Sequence, residues 1–460
     1  MSTNRDTEKK MITEDTIAAI ATAPGNGGIG IIRISGPDAE KIMLQVFRPA
    51  SIRGEKLESH RMYYGWIADD DGIVDECMAV IMRAPRSYTR ENVAELQIHG
   101  GSYVLNRSLQ ICLSRGARLA MPGEFTRRAF LNGRIDLSRA EAVMSIINAR
   151  GAQEHKAAVR QMNGGPSSFI RTISDELYDL QAGLAACIDY PEEITEEEGA
   201  GILREGLKKV ITRLEKSIDE HASRMIYQGL HVAIIGCPNV GKSSLLNALL
   251  EEERAIVTNI PGTTRDTING ELILNGVRIR LTDTAGIRET ADPVEKLGVE
   301  RSSKALTDAD AALLVLDGSE ALSIDELKLL EMIHENDAVI VNKTDLARKT
   351  TEKTIRQIRP DVFCISLSAH DPSSLQPLRE YLSKLAEISD QITLTQPRHL
   401  DAARRAVKHL KDAFVTLNNF TPDLAATDLQ AAQAALSEIT GDHADEILLD
   451  HIFSQFCVGK

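Results

Sequence analysis

The stretch GCPNVGKSS, Gly236 to Ser244, follows the apolar run HVAII (His231–Ile235) and precedes LLNALL (Leu245–Leu250). It is G-x-x-x-x-G-K-S set between an expected strand and an expected helix, the context a phosphate-binding loop requires. Its glycines let backbone N–H groups turn inward around phosphate oxygens, and the helix N-terminus adds partial positive charge. Asn239, Val240, Gly241, Lys242, Ser243 and Ser244 are therefore candidate nucleotide contacts. Lys242 is expected to reach the β- and γ-phosphates as a catalytic cation, and Ser243 to hold Mg²⁺.

Three more pieces follow in order. DTAG (Asp283, Thr284, Ala285, Gly286) closes an expected strand, its aspartate suited to the metal's surroundings and its glycine N–H to the γ-phosphate. NKTD brings Asn342, Lys343 and Asp345 to the end of another strand. A carboxylate there can accept from the ring N–H and the exocyclic amine of guanine. Adenine has no matching donors, so a buried Asp345 would stay unpaired against ATP, and such sites discriminate by ~10⁴ or more. SLSA adds Ser368 and Ala369 as backbone contacts to the base. Upstream of DTAG, IPGTTRD (Ile260–Asp266) is the expected first switch, with Thr264 completing the Mg²⁺ shell. Together these motifs specify GTP.

A catalytic gap remains. The position after DTAG, where many GTPases carry a water-orienting glutamine, is Ile287, and no arginine finger is evident. Such a finger is worth ~10³–10⁵ in rate, or roughly 4–7 kcal/mol of barrier.

Outward from this module the pattern changes twice. Residues 12–131 mix short strands (TIAAIATA, GIIRIS, AELQIHGG) with a helical SYVLNRSLQICLSRG that stops at glycine. From residue 132 the spacing is helical. Ser138 and Glu141 read as a capping box, and two stripes recur every three or four residues: Phe169, Ile173, Leu177, Leu180, Leu184, and Leu203, Leu207, Val210, Leu214, Ile218. YPEEITEEEGA (Tyr190–Ala200) reads as a solvated loop between helices. Strand-like runs begin near residue 229, with ELILNGVRIRL predicted to turn at Asn275-Gly276. Helical spacing returns after residue 391. The expected architecture is multidomain, α/β plus α: an N-terminal α+β domain (1–131), a discontinuous helical domain (132–228 and 391–460), and an inserted Ras-like P-loop GTPase domain (229–390). GNGGIG (Gly25–Gly30) matches the dinucleotide pattern but leads into a strand instead of a helix, so it reads as a tight turn or a close backbone approach to a ligand.

The net charge of −14 argues against a sequence-blind nucleic-acid binder, which would carry a basic footprint. No apolar run is long enough to span a bilayer, and MSTNRDTEKK is not a secretory leader. The six cysteines form no C-x-x-C pair, which fits reduced thiols and a cytoplasmic setting. The last five residues, FCVGK, place an aromatic, a thiol and a lysine where chain ends are usually polar and frayed.

GCPNVGKSS, IPGTTRD, DTAGIRET, the split helical domain and the terminal FCVGK together resemble the MnmE (TrmE) family of tRNA-modification GTPases, over nearly the whole chain. The usual terminus reads C-I-G-K, so Val458 departs from it. The resemblance implies that K⁺ replaces the arginine finger as two G domains dimerise. Its side-chain ligand would be Asn239, with Thr258, Ile260 and Thr263 contributing largely through carbonyls, and Asn259, Pro261 and Gly262 lying in the same nucleotide loop. It implies that Glu295 orients the attacking water. It also implies an N-terminal site for a one-carbon tetrahydrofolate, such as the 5-formyl form, at Arg33, Glu95, Arg134 and Lys460. Arg134 stands where lysine is common, a planar fork in place of a point charge. Cys457 would be either a nucleophile toward uracil C6 or a thiol that positions folate, with Asp450 and His451 near it in sequence. The partners implied are a second copy of the chain, an FAD-bearing MnmG-like protein in a heterotetramer, and tRNA, with no membrane. The product would be an aminomethyl or carboxymethylaminomethyl group at C5 of a wobble uridine. Two other readings compete: a ribosome-assembly or signalling switch without modification chemistry, and a folate-dependent methyltransferase regulated by GTP. The first has no need of a terminal C-x-G-K, and the second leaves the potassium-type switch unexplained.

Overall fold

A computed structural model describes residues 15–50, 57–189, 196–251, 270–283, 306–387, 394–418 and 422–459. The chain forms two compact units. One comprises Met1–Met144, Gln161–Ala186 and Asp423–Lys460, the other Ser145–Arg160 and Cys187–Pro422.

The first unit is built on a seven-stranded sheet. Its strands are β1 (Ile17–Ile20), β2 (Gly27–Ser35), β3 (Phe47–Pro49), β4 (Met62–Asp69), β5 (Gly72–Met82), β6 (Val93–Gly100) and β7 (Arg118–Leu119), in the order β3-β4-β5-β6-β2-β1-β7. All neighbours are antiparallel except β1 and β7. Successive strand residues face opposite sides. Ile32 and Ile34 of β2 and Leu96 and Ile98 of β6 therefore point one way, into a core with helices α1 (Ala39–Val46) and α2 (Ser102–Ser114). Ile42, Met43, Leu105, Leu109 and Cys112 close that core from the helix side, each large side chain contributing about 1.5–3 kcal/mol by burial. Gly30 belongs to β2, and a Cβ there would stand 2.5 Å from Leu105 Cδ2. Gly30 thus meets a core side chain, and GNGGIG runs into a strand with no helix following it.

Arg33 and Glu95 face the other side. They are direct cross-strand partners, because β2 and β6 pair Arg33 with Glu95. Next in the chain come α3 (Glu124–Leu131), α4 (Leu137–Asn148), α5 (Ala152–Met162) and α6 (Gly165–Asp189). The predicted capping box is corrected here. Asp136 Oδ1 accepts from Arg139 N at 2.9 Å, so the helix starts before Ser138, which is buried within it. S-x-x-E occurred by chance two residues inside the true start. In α6, Ile173, Leu177 and Leu184 are buried as expected, while Ile170 takes the interior place foreseen for Phe169.

The second unit continues with α7 (Glu196–Ser217), α8 (Glu220–Tyr227), and a six-stranded sheet ordered β13-β12-β11-β8-β10-β9. The strands are β8 (Leu230–Ile235), β9 (Gly270–Leu274), β10 (Val277–Asp283), β11 (Ala311–Asp317), β12 (Ala338–Asn342) and β13 (Phe363–Ser366). All pair in parallel except the β9–β10 hairpin, which turns at Asn275 (φ 49°) and Gly276 (φ 78°). Both faces of the parallel strands are buried, as continuous apolar runs demand. Helices α9 (Lys242–Glu251), α10 (Ile324–Met332), α11 (Glu352–Ile358) and α12 (Gln376–Leu385) accompany this sheet. The stripe Leu203, Leu207, Val210 and Leu214 of α7 is buried, and α7 pairs with α13 (Pro397–Asn418). The acidic run expected as a loop falls partly outside the described residues, and its second half, from Glu196, is the first turn of α7.

Returning to the first unit, α14 (Pro422–Thr440) and α15 (Glu446–Ser454) end the chain. Leu449, Ile452, Phe453 and Phe456 pack with Leu137 and Ala140, and the Phe453 ring lies 5.5 Å from that of Phe456. No helix among the described residues is long and apolar enough to cross a membrane.

Candidate functional site

The nucleotide motifs converge at the C-terminal ends of the parallel strands, where ligands bind in open α/β sheets. Between β8 and α9 the loop passes through Gly236 (φ 144°), Asn239 (φ 65°) and Gly241 (φ 99°). A Cβ on Gly236 would stand 2.3 Å from Val315 O, and one on Gly241 2.2 Å from Asn342 Nδ2, so the loop is held tightly from below. Lys242 begins α9. Its ammonium is buried and donates to Gly236 O (2.9 Å) and Cys237 O (2.8 Å), and burial pushes its pKa down. Ser243 Oγ donates to Asp283 Oδ2 at 2.9 Å. A hydroxyl and a carboxylate side by side are oxygen donors of the kind a hard divalent cation takes. Asn239 is exposed at the rim of the loop.

Asn342, 1% exposed, joins the loops. Its Nδ2 donates to Val240 O (2.9 Å), and its Oδ1 accepts from Ala369 N (3.0 Å). NKTD thereby braces both the phosphate loop and SLSA. Lys343 (φ 61°) reaches Asp317 Oδ2 at 2.6 Å. Burial raises the Asp317 pKa, but Lys343 and Ser319 outweigh it and hold the carboxyl below its ordinary value. Asp345 accepts from Ser368 Oγ at 2.6 Å, a bond that holds its carboxyl low. One expectation is corrected here: Asp345 is exposed. The penalty against adenine therefore arises only once a base covers the carboxylate. Thr258, Asn259, Ile260, Pro261, Gly262, Thr263, Thr264, Thr284, Ala285, Gly286 and Glu295 lie outside the described residues.

A second constellation lies in the first unit. Arg33 Nε donates to Glu95 Oε1 at 2.8 Å, and Arg33 Nη1 to Gly459 O at 3.2 Å. The chain end is thus ordered against the sheet. Gly123 N donates to Cys457 O (3.4 Å), Val458 bridges Pro122 in antiparallel fashion, and Gly459 (φ 96°) passes so near β1 that a Cβ would stand 2.3 Å from Ile20 O. Lys460 lies outside the described residues. Arg134 donates to Tyr88 O at 3.1 Å with its guanidinium carbon 4.7 Å from the Tyr88 ring centroid, while that of Arg33 lies 5.7 Å from the same ring. Sequence reasoning missed Tyr88, whose only signal was an aromatic in the arginine-rich APRSYTRE. It also missed Arg128, fully buried and paired with Asp15, Glu91 and Glu124.

Cys457 is exposed. Burial pushes the thiols of Cys77 and Cys364 up to about 12, the inert pattern of packed cysteines. Asp450 and His451 are not brought to Cys457: Asp450 pairs with Arg127 at 2.8 Å, and His451 Nε2 meets Gln455 Nε2 at 3.1 Å.

Comparison with known proteins bears on both constellations. The family described as "GTP-binding protein TrmE N-terminus" matches residues 16–134, and "MnmE helical domain" matches residues 137–457. The tRNA modification GTPase MnmE of Heliobacterium modesticaldum is 44% identical over 463 residues, covering 97% of this chain and 99% of that protein. The chain belongs to the MnmE family. Its MnmE relatives in Syntrophotalea carbinolica and Listeria innocua are also 44% identical, covering 98% and 97% of this chain and 100% and 99% of theirs. The two MnmE matches meet between Arg134 and Leu137, just before α4.

Proposed function

We propose that this GTP hydrolase drives tRNA modification as a homodimer with an FAD-bearing MnmG-like partner in the cytoplasm. It would add an aminomethyl or carboxymethylaminomethyl group at C5 of the wobble uridine, with a one-carbon tetrahydrofolate supplying carbon. The working modules in this reading are residues 1–131 for folate and dimerisation, 229–390 for GTP, and 132–228 with 391–460 as the helical link between them. The observation that supports it best is the chain end, which lies across the sheet beside Arg33 and Glu95 instead of fraying. A plain GTP switch has no use for that arrangement.

The residues divide the labour. Lys242, already held under the loop carbonyls, presents its charge to the β- and γ-phosphates. Ser243 and Thr264 would hold Mg²⁺, and Asn239, Thr258, Ile260 and Thr263 would hold K⁺; when bound, these cations neutralise charge developing on the phosphates. Glu295 orients the water. Asp345 reads the guanine edge, with Ser368 and Ala369 behind the base. In the first unit, Glu95, with Arg33 held against it, matches the polar edge of the pterin, and Lys460 the folate's carboxylates. Cys457, with no base beside it among the described residues, fits the positioning role better than the nucleophilic one.

The deciding experiment is mass spectrometry of wobble uridines in tRNA from cells lacking the gene. Loss of the C5 modification, restored by wild type and not by Lys242→Ala, is expected. Unchanged nucleosides, with no redundant activity, would overturn the modification role in favour of a ribosome-assembly switch.

A further inference from the structure

Beside the Arg33–Glu95 pair lies an open groove of about 470 Å³. His60, Met82, Pro85, Arg86, Ser87, Tyr88, Arg90 and Arg134 line it. Three guanidiniums and an imidazole face it, and no carboxylate does. The neighbouring cations are neutralised: Arg83 pairs with Glu40 and Arg128 with Glu91 and Glu124. Those of the groove are not. Arg86 has no side-chain partner among the described residues, while Arg90 and Arg134 each donate to a backbone carbonyl, Asn132 O and Tyr88 O. An arginine has five donors, so most remain for a ligand.

Tyr88 connects this groove to the folate site. Its ring centroid lies 5.7 Å from the guanidinium carbon of Arg33 and 4.7 Å from that of Arg134. A ligand seated at Arg33 and Glu95 can therefore pass Tyr88 into the groove that Arg134, Arg90 and Arg86 line. Apart from Met82, Pro85 and the Tyr88 ring, the lining offers little to hold an aromatic ring system. It offers three guanidiniums and an imidazole.

We propose that this groove holds the γ-linked oligoglutamate tail of the folate, so that the protein selects polyglutamylated over monoglutamylated carbon donors. The inference rests on the folate reading above. Each added glutamate brings one carboxylate to a partly exposed guanidinium. A single exposed pair is worth up to about 1 kcal/mol, so each of the first two added glutamates tightens binding by roughly three- to fivefold. The effect weakens with salt. An RNA backbone is the less apt occupant: a polyanion approaching a chain of net charge −14 needs a longer basic footprint than four side chains.

The test is a binding titration on the full chain with 5-formyltetrahydrofolate carrying one or three glutamates. Wild type is compared with the double variant Arg86→Ala, Arg90→Asn; asparagine tolerates the left-handed backbone at position 90 (φ 61°). The expected result is about tenfold tighter binding of the triglutamate by wild type, reduced to less than twofold in the variant, with monoglutamate affinity unchanged. Equal affinity of the two ligands for wild type would overturn the proposal while leaving the folate site intact. Binding of neither would overturn the folate reading and the tail with it. A variant that keeps the chain-length gain but loses tRNA binding would assign the groove to RNA instead.

Discussion

Replacing Gly459 by valine tests how the chain end is held. The docked tail rests on Arg33 Nη1 to Gly459 O (3.2 Å), Gly123 N to Cys457 O (3.4 Å) and the bridge between Pro122 and Val458. At about 0.5–1.5 kcal/mol net for each good hydrogen bond, and less for long ones, these contacts total roughly 1–3 kcal/mol. Valine at φ 96° carries about 1–3 kcal/mol of backbone strain on its own. Its Cβ would also stand 2.3 Å from Ile20 O and 2.9 Å from Ala21 Cα, both backbone atoms that cannot rotate away. Strain plus overlap exceeds the hold, so the docked tail becomes the minor state. Phe456, packed with Phe453 in the helical core, should stay in place. Hydrogen exchange on the full chain is expected to show faster exchange at Gly123 with α15 unchanged. Folate affinity should fall by tenfold or more, and GTP turnover should not change. Unchanged exchange at the Gly123 amide would refute the steric reasoning. Faster exchange with undiminished folate binding would refute the role given to the tail.

Other outcomes follow from the nucleotide site and the charge network. Asp345→Asn is expected to weaken GTP by at least a hundredfold and favour xanthosine triphosphate in competition binding; unchanged GTP affinity would remove the base assignment. Glu295→Ala should slow single-turnover hydrolysis by a hundredfold or more with nucleotide affinity nearly intact, and survival of turnover would mean that another group orients the water. Exchanging K⁺ for Na⁺ at constant ionic strength should abolish both G-domain dimerisation and fast hydrolysis, whereas equal rates would eliminate the potassium site. Acid should loosen the first unit through Glu124. Burial raises its pKa, but Arg118, the Met121 N–H and Arg128 outweigh this and hold it below its ordinary 4.5. The stability it contributes is present above that value and lost as pH falls through the folded pKa. Hydrogen exchange in β1 and α3 should therefore accelerate below about pH 4.5, and Glu124→Gln should flatten that dependence.

The motifs most legible in the sequence were those whose chemistry is local. GCPNVGKSS needs only its own backbone to form a phosphate cradle, and Asn275-Gly276 needs only two residues with positive φ. Less legible was anything set by which segments meet. That Asn342 would brace Val240 and Ala369 depends on three strand ends lying side by side. Arg33 and Glu95 are 62 positions apart and become partners only through strand register. Arg128 looks in sequence like any helix-surface cation, and only the fold surrounds it with Asp15, Glu91 and Glu124. Ser138 misled because two plausible caps stood two residues apart, and packing chose Asp136.

The β9–β10 hairpin has a mechanical consequence. In the chain it separates the two expected switch segments, one ending just before Gly270 and the other starting just after Asp283. Its tip is clamped: Gln153 N donates to Gly276 O at 3.0 Å, and Gly151 fits so closely that a Cβ would stand 2.4 Å from Gly276 O; further along β9, Arg150 reaches Glu271 at 3.1 Å. The ribbon is a short, stiff lever, with the start of α5 at its tip. A displacement of the hairpin reaches α5 through the backbone bond from Gln153 to Gly276, and the close fit of Gly151 leaves little slack to absorb it.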